Sequence, residues 1–272
     1  MNRWIETHAH LDSPKFEADR QAVILRAEQG GVSPIVTVGA DLDSSRAAVA
    51  LAEAHPGLYA TVGVHPHSAK DVDASTLDAL RDLAAHPRVV AVGEIGLDYY
   101  YEFSPREAQC AAFEAQLALA DEVGKPAVIH LRDKKDQQAA YEEALEVLSS
   151  WVGERAAGPS GSPGVLHCFS GSAAYARAVL ELGFYLGVDG PVTFPNAQAL
   201  QGLVAELPLE RVLLETDCPY LAPQARRGRR NEPAYLPYIG EKVAQLQQVD
   251  VSHVAAVTAT NAEALLSLGA GG

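Results

Sequence analysis

The sequence predicts an α/β fold, a (β/α)8 TIM barrel, and three observations carry that expectation. Short apolar, β-branched runs alternate with longer amphipathic stretches along the whole chain. Eight such runs can be counted, the number a closed parallel barrel requires. No Gly-rich dinucleotide fingerprint follows any of them, which argues against an open doubly wound sheet. A length of 272 residues and an apolar fraction of 48% suit one such domain over residues 1–272, with ample material for a core.

The strand-like runs are "WIETH" (4–8), "PIVTVG" (34–39), "LYATVGV" (58–64), "RVVAVGE" (88–94), "PAVIH" (126–130), "GVLH" (164–167), "FYLGV" (184–188) and "RVLLET" (211–216). Near-continuous apolar strands of this kind are those of a parallel sheet covered by helices. Between them, "PREAQCAAFEAQLALADEVG" (105–124) spaces its apolar residues by three and four, and Gly124 reads as its C-terminal stop. The stretches "EPAYLPYIGEKVAQLQQ" (232–248) and "SHVAAVTATNAEALLSL" (252–268) supply closing helices. "GERAAGPSGSPG" (153–164) is expected as a flexible loop before the sixth strand rather than a domain linker.

Composition narrows the function classes. There are 35 acidic against 21 basic residues, a net charge of −14. That balance excludes a broad basic face for non-specific nucleic-acid adhesion, but leaves room for a local phosphate site. Cys110, Cys168 and Cys218 are three in number and widely spaced, which favours reduced thiols and a cytoplasmic setting over a disulfide framework. No apolar run is long enough for a membrane span, and no basic-then-apolar leader opens the chain. The expected protein acts away from the membrane, as a monomer.

The chemistry sits at the strand ends. In "WIETHAHLD" (4–12), alternation places Glu6, His8 and His10 on one face of an extended strand. Later strands end in Glu94, His130, His167, and Glu215 with Asp217. In a barrel these carboxyl ends converge on one mouth, where active sites are built. Four histidines with two or three carboxylates exceed one tetrahedral ion and suit two divalent ions sharing a carboxylate. Such a pair can activate a water and stabilise the leaving oxygen of an ester. The mixed donors suit Zn, Mn, Co or Ni, and Mg can also occupy a mixed site.

These residues lie in words that resemble the TatD family of metal-dependent deoxyribonucleases, within the amidohydrolase-like barrels. The words are "ETHAHLD" (6–12), "VGVHPH" (62–67), "VGEIGLDYY" (92–100), "GKPAVIHLRD" (124–133), "LHCFSG" (166–171), "GVDGPVTFPN" (187–196), "LLETDCPYLAP" (213–223) and "RRGRRNEP" (226–233). The resemblance implies that His8, His10, Glu94 and Asp217 bind one metal. It implies that Glu94, as a bridge, binds the second with His130 and His167. It further implies hydrolysis of DNA phosphodiesters, often from the 3′ end, with single strands or 3′ ends as substrate. Glu94 and Asp217 are then the catalytic residues, Asp217 taking the proton of the attacking water. Leu131 stands where the family usually has a small polar residue, and "DKKDQ" (133–137) is bulkier and more basic than the usual continuation.

Other residues carry two readings each. His65 and His67 contact a phosphate or leaving group, or His65 merely caps a loop against Pro66. Arg132 pairs with phosphate oxygens, or with Asp133 or Glu94. Arg229 and Arg230, in the "RRGRR" run after the last strand, are expected to bind phosphate; the alternative is a solvated loop. Glu6 and Glu215 are expected to orient histidine rings rather than to ligate. Asp98, Tyr99 and Tyr100 are placed in a loop over the mouth, the tyrosines packing there or stacking on bases. Cys168 and Cys218 read as small buried residues, and His55, His86 and His253 as structural. A competing function keeps the metals but cleaves a lactone, amide or aminoacyl ester. A third is a non-catalytic metal holder with a closed coordination shell.

Overall fold

Every strand-like run of the sequence forms a strand in the computed structural model, which describes residues 2–154 and 161–268. The strands are β1 (Trp4–Ala9), β2 (Val32–Val38), β3 (Leu58–Val62), β4 (Val89–Asp98), β5 (Ala127–Arg132), β6 (Gly164–Leu166), β7 (Tyr185–Val188) and β8 (Val212–Leu214). Each pairs in parallel with the next, giving one eight-stranded sheet in chain order. Residues 155–160, half of the expected loop at 153–164, lie outside the described residues, and 153–154 are the last residues of a helix.

The sheet closes where β8 meets β1, and side chains replace part of the ladder there. Thr7 Oγ1 donates to the Leu214 carbonyl at 3.0 Å. Glu6 Oε1 accepts the backbone N–H groups of His8 at 3.1 Å and Thr216 at 2.9 Å. Above them Asp217 N–H reaches the His8 carbonyl at 3.0 Å and His10 N–H the Cys218 carbonyl at 2.8 Å. An isolated parallel bridge joins Ala9 to Cys218. Backbone groups at this seam are buried and need partners, which the side chains supply. Burial pushes the Glu6 carboxyl up to about 8 despite hydrogen bonds from Thr216 and His8. Glu6 therefore holds the seam backbone and not a histidine ring.

The helices are α1 (Arg20–Gln29), α2 (Leu42–Ala54), α3 (Ala74–Ala84), α4 (Arg106–Glu122), α5 (Ala139–Glu154), α6 (Ala173–Glu181), α7 (Gln198–Glu206), α8 (Leu236–Gln247) and α9 (Val251–Leu266). Local chemistry sets their ends. Asp41 caps α2, accepting Ser44 N–H at 2.8 Å while the Ser44 hydroxyl accepts Asp41 N–H at 2.8 Å. Asp73 caps α3 through Thr76 N–H at 2.8 Å. Helix α4 ends as expected, where Gly124 turns to φ +66 and its N–H returns to the Asp121 carbonyl.

Two apolar layers result. One lies between strands and helices, where Trp4, Ile35, Val89, Ile129 and Leu186 meet helix residues such as Phe113 and Ile239. The other joins Ile5, Val36, Val90, Val128, Val165 and Leu213. Residues from six strands can meet in one cluster only inside the barrel. Ala262, Leu265 and Leu266 of α9 belong to the same cluster. The early part of each strand is thus filled with hydrocarbon, and polar chemistry is left to the carboxyl ends.

The expected elements differ from the structure mainly in β4. This strand runs on to Asp98, four residues past Glu94, so Asp98 belongs to the sheet and not to a loop. Tyr99 is fully buried, its hydroxyl donating to Glu143 Oε2 at 2.5 Å, and does not cover the mouth.

Candidate metal centre

Glu94 reaches the mouth because β4 is irregular where it sits. The β4–β5 register shifts between Val92 and Ile95, and Gly93 adopts φ +153. A Cβ on Gly93 would fall 2.5 Å from the Val128 carbonyl oxygen, and one on Gly63 would fall 2.8 Å from the Gly93 carbonyl carbon. Only glycines allow β3, β4 and β5 to close up this way. Bulges of this kind re-aim side chains beside functional sites.

The two oxygens of Glu94 face different sets of side chains. Oε2 lies 3.4 Å from His8 Nε2 and 3.8 Å from His10 Nε2. Asp217 Oδ1 completes that side, 3.3 Å from His10 Nε2 and 3.9 Å from His8 Nε2. Oε1 lies 2.8 Å from His167 Nε2, 2.9 Å from His130 Nδ1 and 3.5 Å from His65 Nε2. One carboxylate thus stands between two groups of donors.

The second nitrogen of each ring says what the first can do. His10 Nδ1 faces the Val38 carbonyl at 3.2 Å, so it carries a proton, and Nε2, facing Asp217, is the nitrogen whose proton a cation would displace. His130 Nε2 is held by Asp98 Oδ2 at 3.2 Å, leaving Nδ1 toward Glu94. His167 Nδ1 is buried without a hydrogen bond, 3.4 Å from Glu215 Oε1, and Nε2 faces Glu94. Carbonyls and carboxylates so placed are the kind of outer partner that orients an imidazole toward a cation. His65 is the opposite case. Its Nδ1 accepts the His67 N–H at 3.1 Å, so neutral His65 carries its proton on Nε2 and offers a donor at the centre, not a lone pair. Burial, then the neighbouring His130, keep its pKa well below the ordinary histidine value.

The donor set fits a cation. His8 is fully buried, and neither ring nitrogen finds a hydrogen-bond partner. Such a group costs free energy unless something binds it. Burial and the adjacent His167 lower its pKa, keeping its lone pair available. Burial opposes ionisation of Glu94, but the imidazoles of His167 and His65 and hydrogen bonds from His130 and His167 hold it well below the usual carboxylate range. His10 moves the other way: although burial lowers its pKa, the Asp217 carboxylate lifts it to about 9. Its proton thereby balances charge that a cation would balance instead. Three overlapping groups, His8–His10–Asp217, His8–Glu94–His167 and His65–Glu94–His130, each have donor atoms within 4.8 Å of one another.

A cavity of about 870 Å³ opens above the centre. His10, Glu94, His130, His167 and Asp217 form part of its lining, as do His65, His67 and Arg132. Arg132 makes no ion pair with Asp133 or Glu94; its guanidinium lies over the rings of Tyr100 at 4.5 Å and Tyr101 at 5.0 Å. The structure does not bring Arg229 or Arg230 into the cavity. Arg230 forms a two-pronged pair with Asp19 at 2.7 and 2.8 Å, donates to the Lys15 carbonyl and covers the Phe16 ring. Arg229 is exposed outside the lining. Cys218 is fully buried, but Cys168 lines the cavity, its thiol donating to Asp189 Oδ2 at 3.2 Å.

Three features escaped the sequence reading. Asp98 accepts from His67 Nε2 at 2.9 Å as well as from His130, and its position was legible as the next alternate strand site after Glu94 and Gly96. The role of Glu6 in the seam depends on a partner 210 residues away and had no local signal. Tyr101 and Phe103, at the rim, stood in what reads as an ordinary loop.

A parallel barrel with imidazoles and carboxylates gathered at its carboxyl-terminal mouth defines a metal-dependent hydrolase. Comparison with known proteins makes the assignment narrower. The family model described as TatD related DNase matches residues 5–267. The metal-dependent hydrolase YabD of Bacillus subtilis, named as uncharacterized, is 40% identical over 263 residues, covering 97% of this chain and 98% of that protein. A 3′-5′ ssDNA/RNA exonuclease TatD of Erwinia amylovora is 41% identical over 265 residues, covering 95% of this chain and 98% of that one. The crystal structure of the Escherichia coli TatD homologue YjjV superposes with a TM-score of 0.88 at 30% identity, covering 98% of both chains. The chain belongs to the TatD-related DNase family.

Proposed function

We propose that this protein uses two divalent ions, of Mg, Mn, Zn or Co, to hydrolyse phosphodiester bonds at the 3′ ends of single-stranded DNA or RNA. The observation that carries the two-ion reading is the Glu94 carboxylate, whose oxygens face separate donor groups. His8, His10 and Asp217 would hold one ion and His130 and His167 the other, with Glu94 shared. Support for the substrate comes from the relatives named as 3′-5′ ssDNA/RNA exonucleases.

When bound, the ions supply Lewis acidity and lower the pKa of water. The chain's residues do the rest. Asp217 stands at the cavity wall as an ionised carboxylate and accepts the proton of the attacking water. His65 offers its Nε2 proton to a phosphoryl oxygen. The Arg132 guanidinium meets the phosphate at the rim. Asp98 and Glu215 fix the rings of His130 and His167. No broad basic surface is needed, which agrees with the net charge of −14.

Product mapping on end-labelled oligonucleotides tests this, with Mg, Mn, Co and Zn each added to metal-stripped protein. The expected result is stepwise release of mononucleotides from 3′ ends, faster on single strands than on duplex. Hydrolysis of a neutral lactone or ester, with no oligonucleotide cleaved under any metal, would overturn the reading.

A further inference from the structure

The large apolar side chains exposed among the described residues are not scattered. Apart from Leu25 and Val249, they are Tyr100, Tyr101, Phe103, Tyr220 and Leu221. Tyr101, Tyr220 and Leu221 line the cavity. Phe103 lies against Tyr101, with ring centroids 5.3 Å apart and planes within 16°. An exposed apolar concentration at the edge of a functional cavity marks a contact surface.

The rings are held in place and tied to the centre. Asp98 Oδ1 accepts the N–H groups of Tyr100 at 3.0 Å and Tyr101 at 2.9 Å. The other oxygen of the same carboxylate holds His67 and His130. His67 meets both rings edge-on, 5.4 Å from Tyr101 and 4.8 Å from Phe103. Arg132 lies over Tyr100 and Tyr101 with no carboxylate partner among the described residues. The one carboxylate within the loop, Glu102, is committed to Arg106 at 2.8 Å and Lys134 at 3.0 Å. Half-exposed aromatic rings and a guanidinium that lies over two of them, with no carboxylate partner among the described residues, therefore stand together beside the His65–His130 half of the centre.

We infer that Tyr101 and Phe103, with Arg132, form a shelf that stacks an unpaired nucleobase next to the phosphate being cleaved. The inference rests on the nuclease reading and deepens it by naming how the strand is gripped. A nucleotide is a flat ring joined to an anion, and the shelf offers a complement to each. Stacking accepts any base, because every base has a π face. A base in a duplex must first lose its pairing partner and its stacked neighbour before it can lie on the shelf, so the shelf favours single strands. Stacking is also independent of net charge, so a protein at −14 can hold a polyanion this way.

The test compares the parent with the double variant Tyr101→Ala/Phe103→Ala on two Mn-dependent substrates. One is an ordinary 3′-terminal single strand; the other carries abasic sites at its last two positions. The variant is expected to raise KM for the ordinary strand by about tenfold or more, with kcat and bound metal unchanged, since the lost contact is uniform binding. The abasic strand should cost the parent a similar factor and cost the variant nothing further. The ring-keeping variant Tyr101→Phe/Phe103→Tyr should restore the parent KM. Equal KM values for parent and alanine variant overturn the shelf while the nuclease reading stands. A parent that cleaves neither strand ends the nuclease reading, and the shelf with it.

Discussion

One oxygen of Asp98 holds His67 and His130, while the other holds the backbone of Tyr100 and Tyr101. Asp98→Asn keeps the shape but loses the charge that fixes the tautomer of His130. Losing such an outer partner costs roughly 10–100-fold in metal affinity or activity. Metal content and turnover measured together should show a loss of that size, and an unaltered variant would remove Asp98 from the centre. Arg230 makes the contrast. Its guanidinium is committed to Asp19, so Arg230→Ala should lower the melting temperature and leave KM for oligonucleotides as it is; a raised KM with unchanged melting would return it to substrate binding. The donor residues were legible because they sit at alternate or terminal positions of apolar strands, a local pattern. Arg230 pairs with a residue 211 positions away, a partner that no local pattern announces. Four charges in a short run show where a loop is, but not which carboxylate it will meet.

At the scale of elements, the strands were readable from apolar runs, and their ends were not. Strand β4 continues to Asp98, whereas β8 stops at Leu214 because the following residues leave the ladder for the seam and the centre. Those departures are tertiary. In β7, a Cβ on Gly187 would fall 2.6 Å from both carboxylate oxygens of Glu215. Gly187→Ala should therefore displace Glu215 from His167, costing about 1–3 kcal/mol of stability as overpacking and weakening metal binding. Denaturant unfolding and metal titration would show both losses, and a variant that binds metal like the parent would mean that Glu215 does not orient His167. Helix α3 offers a pH test. The Thr76 N–H, then the Ser75 and Thr76 hydroxyls, hold the Asp73 carboxyl down to about 2, against 3.8 for the free group. A carboxyl depressed in the folded state adds stability above the unfolded value, and that stability is lost as pH falls through the folded one. Asp73→Ala should be less stable than the parent at neutral pH, with the gap closing between about pH 4 and pH 2. Urea midpoints across that range check it; a gap independent of pH would contradict the cap's ionic share.

Over the whole molecule, hydrocarbon fills the early half of the barrel and ionisable groups crowd the other end. Among the described residues no helix is long and apolar enough to cross a membrane. The fold class followed from the count and spacing of apolar runs, because a barrel repeats one local unit. What the sequence could not show was closure, since the bonds between β8 and β1 join the two ends of the chain. Closure brings His8 and His10 against Asp217, and the irregular β4 brings Glu94 between them and His130 and His167. The central claim is that Glu94 joins two metal sites. Electron paramagnetic resonance of the protein titrated with Mn tests it most directly, because two ions roughly 3.5–4 Å apart are magnetically coupled. The expected result is two Mn per chain with a coupled-pair spectrum, collapsing in Glu94→Gln to an isolated ion or none. A single uncoupled Mn in the parent at saturation, or a coupled pair that survives Glu94→Gln, would contradict the account.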